Sequence, residues 1–383
     1  MKYRKFLSAD KNTELDISLL GFGCMRLPVI GGDMSKIDEA EAIRMIRYAI
    51  DRGVNYVDTA WMYHGGESEK VVGKALRDGY RERVYLATKL PFWLLKKPKE
   101  MEKTLDEQLR RLQTDYVDFY LLHDIEGSRI KTVKEWKMFD FLMKMKAKGK
   151  IRFAGFSCHG ATPEYFIRLL DEHPWDFAQI QLNYIDQEWQ AGMEGYRYAA
   201  DKGVPIIIME PLKGGKITDS LPEDIQQTWA RLDAGETKRT PAEWALRWAA
   251  NLPGVMTILS GMSAMPQVEE NVRVLADAEA GALTDGELAI LDEIADAYNK
   301  LILYPCTACR YCLPCTVKID IPYLMSYRND WELYGHNPKL RAEYASFVER
   351  KASLCTSCGH CEQACPQQLP VMKAMEEVAE IFG

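Results

Sequence analysis

The sequence predicts an α/β protein, a (β/α)8 TIM barrel followed by a small, mainly helical C-terminal domain that is rich in cysteine. Eight short apolar segments alternate with amphipathic segments between residues 17 and 275, which is the size and rhythm of such a barrel. The 383 residues exceed the usual size of one domain, so a second, smaller domain is expected. Eight of the ten cysteines lie between Cys306 and Cys365, and the change in composition marks that domain.

The eight predicted strands are almost continuously apolar, as is typical of parallel strands that are buried on both faces. They occupy residues 19–25, 55–60, 84–90, 116–123, 153–159, 177–183, 205–212 and 256–262. A doubly wound sheet is the alternative fold. It would normally contain fewer strand–helix units, and the segment GFGCMR at 21–26 is not the glycine fingerprint of a dinucleotide-binding turn.

Helices are predicted between the strands by apolar residues that recur on one face, as in 38–51 and 99–113. Residues 3–7 and 15–18 flank a polar segment and predict a hairpin that closes the floor of the barrel. Further helices are expected at 284–299 and at 371–382. We place the domain boundary near residue 300, which gives a barrel domain at 1–300 and a C-terminal domain at 301–383.

Composition excludes several classes of function. The formal net charge is −7 and there is no long basic segment, so a nucleic-acid partner is not expected. The first twenty residues lack the apolar core of a secretory signal, and no apolar segment is long enough to cross a membrane. We therefore expect a cytoplasmic protein without a membrane partner, in which clustered cysteines bind metal and do not form disulfides.

The cysteines form two motifs that predict iron–sulfur clusters. The first motif has three two-residue gaps and the second ends in a three-residue gap followed by Pro366; their cysteines are Cys306, Cys309, Cys312 and Cys315, then Cys355, Cys358, Cys361 and Cys365. The second motif fits the bacterial ferredoxin pattern, in which the last cysteine of each motif ligates the other cluster. The sequence thus predicts a ferredoxin-like domain with two [4Fe–4S] clusters.

The first motif departs from that pattern, because its last gap is two residues and Thr316 stands where the proline would be. If the exchange holds, one cluster takes Cys306, Cys309, Cys312 and Cys365, and the other takes Cys355, Cys358, Cys361 and Cys315. Zinc is the main alternative, although zinc sites favour four ligands in two C-x2-C pairs. His360 lies inside the second motif, either as a solvated loop residue or as a donor to a cluster sulfur.

Polar residues at the predicted strand ends suggest a catalytic site. Asp58 ends the second strand and Tyr63 follows it, while Lys89 and His123 end the third and fourth strands. In a TIM barrel these ends meet at one face, where chemistry takes place. A lysine ammonium should lower the pKa of a nearby tyrosine, a carboxylate should hold the lysine, and a histidine should orient a carbonyl.

These segments resemble the aldo/keto reductase superfamily. The resemblance rests on DTAWMYHGGESEKVVG at 58–73, ATKL at 87–90 and LLHD at 121–124, and it covers residues 3–299. With the cysteine motifs, the whole chain resembles the branch of that superfamily that is fused to a ferredoxin-type domain. The resemblance implies that Tyr63 is the general acid, that Asp58 and Lys89 assist it, and that His123 orients the substrate carbonyl.

The resemblance also implies a nicotinamide cofactor, NADP or NAD, extended over the barrel mouth. The residues assigned to it are Gly23, Met25, Arg26, Ser157, Gln181, Asn183, Leu212, Lys213, Gly215, Ser263, Gln267, Glu270 and Asn271. Two departures leave the preference open. Met209 stands where many members stack a tyrosine on the nicotinamide, and Gln267 stands where members that prefer NADP use an arginine, whose paired donors suit a phosphate.

Two classes of function follow. The first is an oxidoreductase that interconverts a small-molecule carbonyl and an alcohol, with clusters that serve electron transfer or structure. The second is an iron–sulfur electron-transfer protein, acting on a redox partner protein, whose barrel is a docking or cofactor-sensing domain. A coupling problem separates them: hydride transfer moves two electrons together, whereas a [4Fe–4S] cluster moves one, and the sequence has no flavin motif that would link the two.

Overall fold

The computed structural model describes residues 1–125, 129–159, 161–218, 221–232, 238–306, 312–365 and 367–383. Cys309 and Pro366 of the predicted cluster motifs therefore lie outside the described residues. The described chain forms two compact units. One comprises Met1–Gly214 and Glu243–Thr284, and the other comprises Gly215–Ala242 and Asp285–Gly383.

The first unit contains a closed barrel of eight parallel strands. In chain order these are β3 (Leu20–Gly23), β4 (Tyr56–Asp58), β5 (Tyr85–Leu90), β6 (Val117–Leu122), β7 (Ile151–Cys158), β8 (Phe177–Gln181), β9 (Ile206–Met209) and β10 (Val255–Gly261), after the hairpin strands β1 (Tyr3–Leu7) and β2 (Glu14–Ser18). Each strand pairs with the next along the chain, and β10 closes the ring by pairing with β3. The predicted TIM barrel is confirmed, and the closure excludes a doubly wound open sheet.

Helices follow the strands. Those of the first unit are α1 (Glu39–Asp51), α2 (Ser68–Ala75), α3 (Glu100–Leu112), α4 (Ile130–Glu135), α5 (Met138–Ala147), α6 (Pro163–Glu172), α7 (Gly192–Lys202) and α10 (Met265–Val274). Between α7 and α10, α8 (Glu223–Leu232) belongs to the second unit, and α9 (Pro241–Asn251) begins in the second unit and continues into the first. Proline at the first helical position starts both α6 and α9, where its missing N–H removes no helical hydrogen bond.

The hairpin closes the amino-terminal end of the barrel, as the sequence predicts. β1 and β2 pair antiparallel, with Phe6 opposite Leu15. Phe6 and Ile17 are fully buried in a core cluster with residues at the beginnings of the barrel strands. The Phe6 ring meets Phe119 and Phe153 edge to face, with centroids 5.2 and 4.7 Å apart. Aromatic packing of this kind makes the floor a filled core.

The second unit is mainly helical. Besides α8 it contains α11 (Asp285–Lys300), α12 (Ile321–Leu333), α13 (Pro338–Phe347), α14 (His360–Ala364) and α15 (Val371–Phe382). Its core joins α12, α13 and α15 through side chains such as Leu324, Tyr344 and Met375. The second compact unit includes α11, which ends at Lys300. The domain boundary near residue 300 stays a prediction. Among the described residues, no helix is long and apolar enough to span a membrane.

Candidate functional site

The structure brings together the four residues predicted for catalysis. Asp58 is the last residue of β4, Lys89 lies near the end of β5, and His123 directly follows β6. Lys89 Nζ donates to Asp58 Oδ1 at 2.6 Å and to the Thr59 carbonyl at 2.9 Å, and it lies 3.4 Å from the Tyr63 hydroxyl oxygen. The Tyr63 and His123 rings meet edge to face with centroids 6.2 Å apart. The group therefore forms one contiguous polar cluster at the strand ends.

Burial controls the protonation of this cluster. Lys89 is fully buried, and although burial alone would lower its pKa, Asp58 and Tyr63 raise it, so the amine is an ammonium. Burial raises the pKa of Tyr63. The expected effect of Lys89 on Tyr63 is present in direction, but burial outweighs it, so the net pKa shift of Tyr63 is opposite to the expectation. Burial, followed by repulsion from Lys89, holds the pKa of His123 well below its ordinary value.

Two buried polar atoms in the cluster have no partner in the described part of the protein. They are Asp58 Oδ2 and His123 Nδ1. A buried polar atom without a partner costs free energy comparable to a lost hydrogen bond. Trp93 lies beside the His123 ring, with centroids 5.1 Å apart. His123 is thus held against an aromatic wall as a neutral imidazole, which can still donate one hydrogen bond.

A second buried hydrogen-bond network contacts the main chain of Lys89, and no motif in the sequence predicts it. Glu69 Oε1 accepts from Thr88 Oγ1 at 2.7 Å and from Gln108 Nε2 at 2.8 Å. The same Gln108 amide donates to the main-chain carbonyl of Lys89 at 3.0 Å, and Arg111 pairs with Glu69 Oε2 at 3.2 Å. These contacts join residues up to 42 positions apart, so no local sequence signal identifies them.

His64 has a structural position, because both of its ring nitrogens contact the main chain. Its Nε2 accepts from the Leu27 main chain at 3.1 Å, and its Nδ1 lies 2.8 Å from the Met34 carbonyl. A neutral imidazole that donates through Nδ1 satisfies both contacts, and burial lowers the pKa of His64, which favours that form. His64 therefore ties the loop after β3 to the turn that carries Tyr63.

Three of the residues assigned to the cofactor, Gln181, Asn183 and Lys213, converge on a carboxylate that no sequence motif marks. Asp186 Oδ2 accepts from Gln181 at 3.1 Å and from Asn183 at 3.0 Å, and Asp186 Oδ1 accepts from Lys213 at 2.9 Å. Burial would raise the pKa of Asp186, but Lys213 and the amides lower it. Ser157, which is buried, accepts from the main-chain N–H of Asp124 at 2.8 Å.

The loops after β3 and β9 carry the next group of predicted cofactor residues. Gly23 ends β3, and a Cβ there would lie 3.2 Å from the Ser260 carbonyl oxygen, which is a tight contact, so glycine favours this close approach of β3 to β10. Met25 and Arg26 follow in a short 3-10 turn, and Arg26 lies 3.5 Å from Glu210. Leu212 precedes Lys213, whereas Gly215 belongs to the second compact unit.

The remaining predicted cofactor residues lie at the start of α10. Gln267 Oε1 accepts from the main-chain N–H groups of Ser263 at 2.8 Å and Ala264 at 3.2 Å, so this side chain caps the helix. Asn271 is buried and donates to Ser260 Oγ at 2.9 Å, and Glu270 is half-buried on the same helix. Among the predicted cofactor residues, the amides of Gln181 and Asn183 and the Lys213 ammonium are the types of donor that the carboxamide and phosphate groups of a dinucleotide accept from.

The second unit has a cavity lined by five cysteines. They are Cys312, Cys315, Cys355, Cys358 and Cys361. Cys306 packs against the adjacent core, and Cys365 follows α14. Among the described residues, no three His, Cys, Asp or Glu side chains lie together as ligands of one metal ion would. Five thiols on one cavity are more than the four ligands that a single zinc ion takes, and they fit the donor set of an iron–sulfur cluster.

One of the sulfurs that line this cavity, that of Cys358, accepts hydrogen bonds that change its pKa. A main-chain hydrogen bond from His360, followed by one from the Thr316 hydroxyl, lowers the pKa of Cys358. Burial instead raises the pKa of Cys361. Cys315 from the first motif lines the same cavity as three cysteines of the second motif, as the predicted exchange of ligands requires, but Cys312, which the exchange assigns to the other cluster, lines it too.

The fold and the polar cluster at its strand ends are those of a barrel oxidoreductase, and comparison with known proteins gives the family. Residues 19–296 match the model of the Aldo/keto reductase family, so the chain belongs to that family. Residues 305–370 match a 4Fe-4S dicluster domain. The suspected arrangement, a reductase barrel followed by an iron–sulfur domain, is thereby confirmed.

Individual relatives agree with this assignment. The chain is 30% identical over 312 residues to L-galactose dehydrogenase from Arabidopsis thaliana, an alignment that covers 77% of this chain and 96% of that protein. The holo form of an aldo-keto reductase from Bacillus halodurans superimposes with a TM-score of 0.63 at 29% identity, covering 78% of this chain and 97% of the other. An aldo-keto reductase from Klebsiella pneumoniae in complex with NADPH gives 0.58 at 25% identity, covering 77% and 96%.

Proposed function

We propose that the protein interconverts a small-molecule carbonyl and the corresponding alcohol with a nicotinamide cofactor, and that its second unit carries two [4Fe–4S] clusters. The observation that carries the first part is the position of Lys89, whose ammonium contacts the Asp58 carboxylate at 2.6 Å and the Tyr63 hydroxyl at 3.4 Å. A tyrosine hydroxyl beside a buried ammonium can donate its proton to a substrate oxygen. Electrostatic interactions are strong in such a buried site.

Each residue of the cluster has a distinct role in this proposal. A bound nicotinamide would supply the hydride that the carbonyl carbon accepts. Tyr63, which burial keeps protonated, donates its proton to the carbonyl oxygen, and the adjacent Lys89 ammonium stabilises the phenolate that remains. Asp58 holds Lys89 in place, and neutral His123 donates a hydrogen bond to the same carbonyl oxygen. The four residues are the catalytic residues of the proposal.

The cofactor is held by the residues that the family resemblance assigns. Ser157, Gln181 and Asn183 offer a hydroxyl and two amides for the nicotinamide carboxamide, and Lys213 offers a cation for the diphosphate. The complex of the Klebsiella pneumoniae relative with NADPH supports a nicotinamide cofactor. Gln267 caps α10 in this chain, and a glutamine lacks the charge that recognises a 2′-phosphate, so NAD and NADP both enter the test.

The clusters are assigned by the motif and the cavity. One takes Cys355, Cys358, Cys361 and Cys315, all of which line one cavity. The other takes Cys306, Cys309, Cys312 and Cys365, of which Cys309 lies outside the described residues. A [4Fe–4S] cluster exchanges one electron at a time. The cysteine thiolates of this chain bind its iron atoms and contribute to the net charge of the cluster.

The experiment has two stages. The full chain is purified anaerobically for iron and sulfide analysis and is titrated with NADPH and NADH; about eight irons per chain are expected for two cubane clusters. A screen of carbonyl substrates then compares the wild type with Tyr63→Phe. Because the barrel also buries Tyr56, whose hydroxyl has no partner among the described residues, Tyr56→Phe is the matched control. Turnover should fall by about 100-fold or more in Tyr63→Phe, the usual contribution of a general acid, and persist in Tyr56→Phe.

The second candidate function is an electron-transfer protein whose barrel docks a partner or senses a cofactor. The dicluster match favours it, because one-electron clusters do not exchange directly with a hydride. Eight irons, nicotinamide binding and no carbonyl turnover in either the wild type or Tyr63→Phe would support this second function over the first.

A further inference from the structure

Thr316 is placed where a side chain can act on a cluster. It follows the last cysteine of the first motif, whereas Pro366 occupies the equivalent position of the second motif. Its hydroxyl oxygen lies 3.6 Å from the Cys358 sulfur, although the two residues are 42 positions apart. Thr316 also lines the cavity that contains Cys315, Cys355, Cys358 and Cys361. A proline could not make this contact, because it has neither a hydroxyl nor a main-chain N–H.

The direction of the hydrogen bond follows from the chemistry of the sulfur. A cysteine that ligates iron is a thiolate and has no proton to donate. The Thr316 hydroxyl is therefore the donor and the Cys358 sulfur is the acceptor. The main chain of His360 and, with a smaller effect, the Thr356 side chain donate to the same sulfur. Cys358 is exposed, and it is the cysteine on which donors of both motifs converge.

A donor at a cluster sulfur changes the balance between the oxidised and reduced cluster. The reduced cluster carries one more negative charge, so a hydrogen bond to its sulfur is stronger in that state. Hydrogen bonds to the sulfurs and solvent exposure are among the factors that set the potential of iron–sulfur clusters. Removal of a donor should therefore make the cluster harder to reduce.

We propose that Thr316 raises the reduction potential of the cluster held by Cys315, Cys355, Cys358 and Cys361, through its hydrogen bond to Cys358. The inference rests on the proposed presence of clusters in the second unit, and it adds to that proposal a functional difference between the two clusters. Only the cluster at Cys358 receives a side-chain donor from Thr316, so the departure of the first motif from the ferredoxin pattern has a redox consequence.

The test is an anaerobic redox titration of the full chain followed by electron paramagnetic resonance, with iron and sulfide measured for every variant. Thr316→Val keeps the branched shape and removes the hydroxyl. It should shift one of the two reduction steps to a more negative potential and leave the other unchanged. Thr316→Ser keeps the hydroxyl and should titrate like the wild type. Thr356→Val should shift the same step by less.

Each outcome is distinguishable. Full iron content with both steps unchanged in Thr316→Val overturns the inference while the clusters of the proposed function stand. Equal shifts of both steps also overturn it, because the contact involves one sulfur. A wild-type chain without iron overturns the proposed clusters themselves. If Thr316→Val loses iron, Thr316→Ala lacks the same hydroxyl without a branched side chain and carries the same prediction.

Discussion

The buried ion pair between Asp58 and Lys89 should matter more for chemistry than for stability, and a double-mutant cycle tests this. The two side chains are 3% and 0% exposed, with 2.6 Å between Oδ1 and Nζ. Lys89→Met removes the cation and leaves a buried carboxylate whose other oxygen already has no partner among the described residues. Breaking one side of a buried pair costs about 3–5 kcal/mol of unfolding free energy.

Removing both charges should recover much of that loss. In Lys89→Met combined with Asp58→Asn, neither an ammonium nor a carboxylate is buried, and replacement of a whole pair is often close to neutral. We expect a coupling free energy of about 1–3 kcal/mol between the two substitutions. The double variant should be inactive in carbonyl reduction and yet more stable than Lys89→Met alone.

The pH dependence of the unfolding free energy tests whether the buried Asp58 carboxylate is the cause of the lower stability of Lys89→Met. Burial already raises the pKa of Asp58 above its ordinary value, and loss of Lys89 raises it further. A carboxyl whose folded pKa exceeds its unfolded pKa destabilises the fold above the folded pKa, and this penalty disappears as the pH falls through that value towards the unfolded one. The stability deficit of Lys89→Met should therefore shrink between neutral and mildly acidic pH.

The assay is urea denaturation of the barrel transition, followed by circular dichroism at both pH values. The matched control is Lys70→Met, because Lys70 pairs with Glu67 at the same 2.6 Å while both side chains are 45% exposed. Exposed pairs contribute about 0–1 kcal/mol. The reasoning is refuted if Lys89→Met is no more destabilising than Lys70→Met, or if the two substitutions at the buried pair are simply additive.

Two further predictions concern catalysis and packing. Burial raises the pKa of Tyr63 above 10.0 and lowers that of His123 well below 6.5. The pH profile of kcat/KM for carbonyl reduction should therefore show no inflection near pH 6.5 and should fall only once Tyr63 deprotonates. An inflection near pH 6.5 in the measured profile would contradict this. Gly73→Ala should lower the melting temperature, at about 1–3 kcal/mol, because its Cβ would lie 2.6 Å from the Arg111 carbonyl. Gly286→Ala, in a helix with open space, should gain about 0.5–1 kcal/mol; equal effects of the two would refute the packing argument.

The barrel could be predicted from sequence because its strands are buried on both faces. A segment such as residues 205–209 is apolar without alternation, which is typical of a strand in a sheet that is covered on both faces. The floor hairpin was also predictable, since Phe6 and Ile17 are apolar residues on either side of a polar turn. The polar cluster of Asp58, Tyr63, Lys89 and His123 could be predicted from the strand ends, which meet at one face once the barrel closes.

Other features depend on contacts that no local pattern reveals. Asp186 is the common acceptor for Gln181, Asn183 and Lys213, and nothing near it in sequence distinguishes it from a surface aspartate. The net pKa shift of Tyr63 depends on how deeply the site is buried, which the motif does not contain. The predicted roles of the catalytic residues, of the cofactor residues and of the eight cluster cysteines stay predictions.

The filled floor of the barrel restricts the route by which ligands can enter and leave. Because Phe6, Ile17 and the aromatic residues around them close the amino-terminal end, any molecule that reaches Tyr63 must arrive and depart through the opposite end. If the proposed substrate and cofactor bind one above the other at that end, they cannot pass one another. The one that lies deeper is the last to leave, so the order in which ligands bind dictates the order in which products are released.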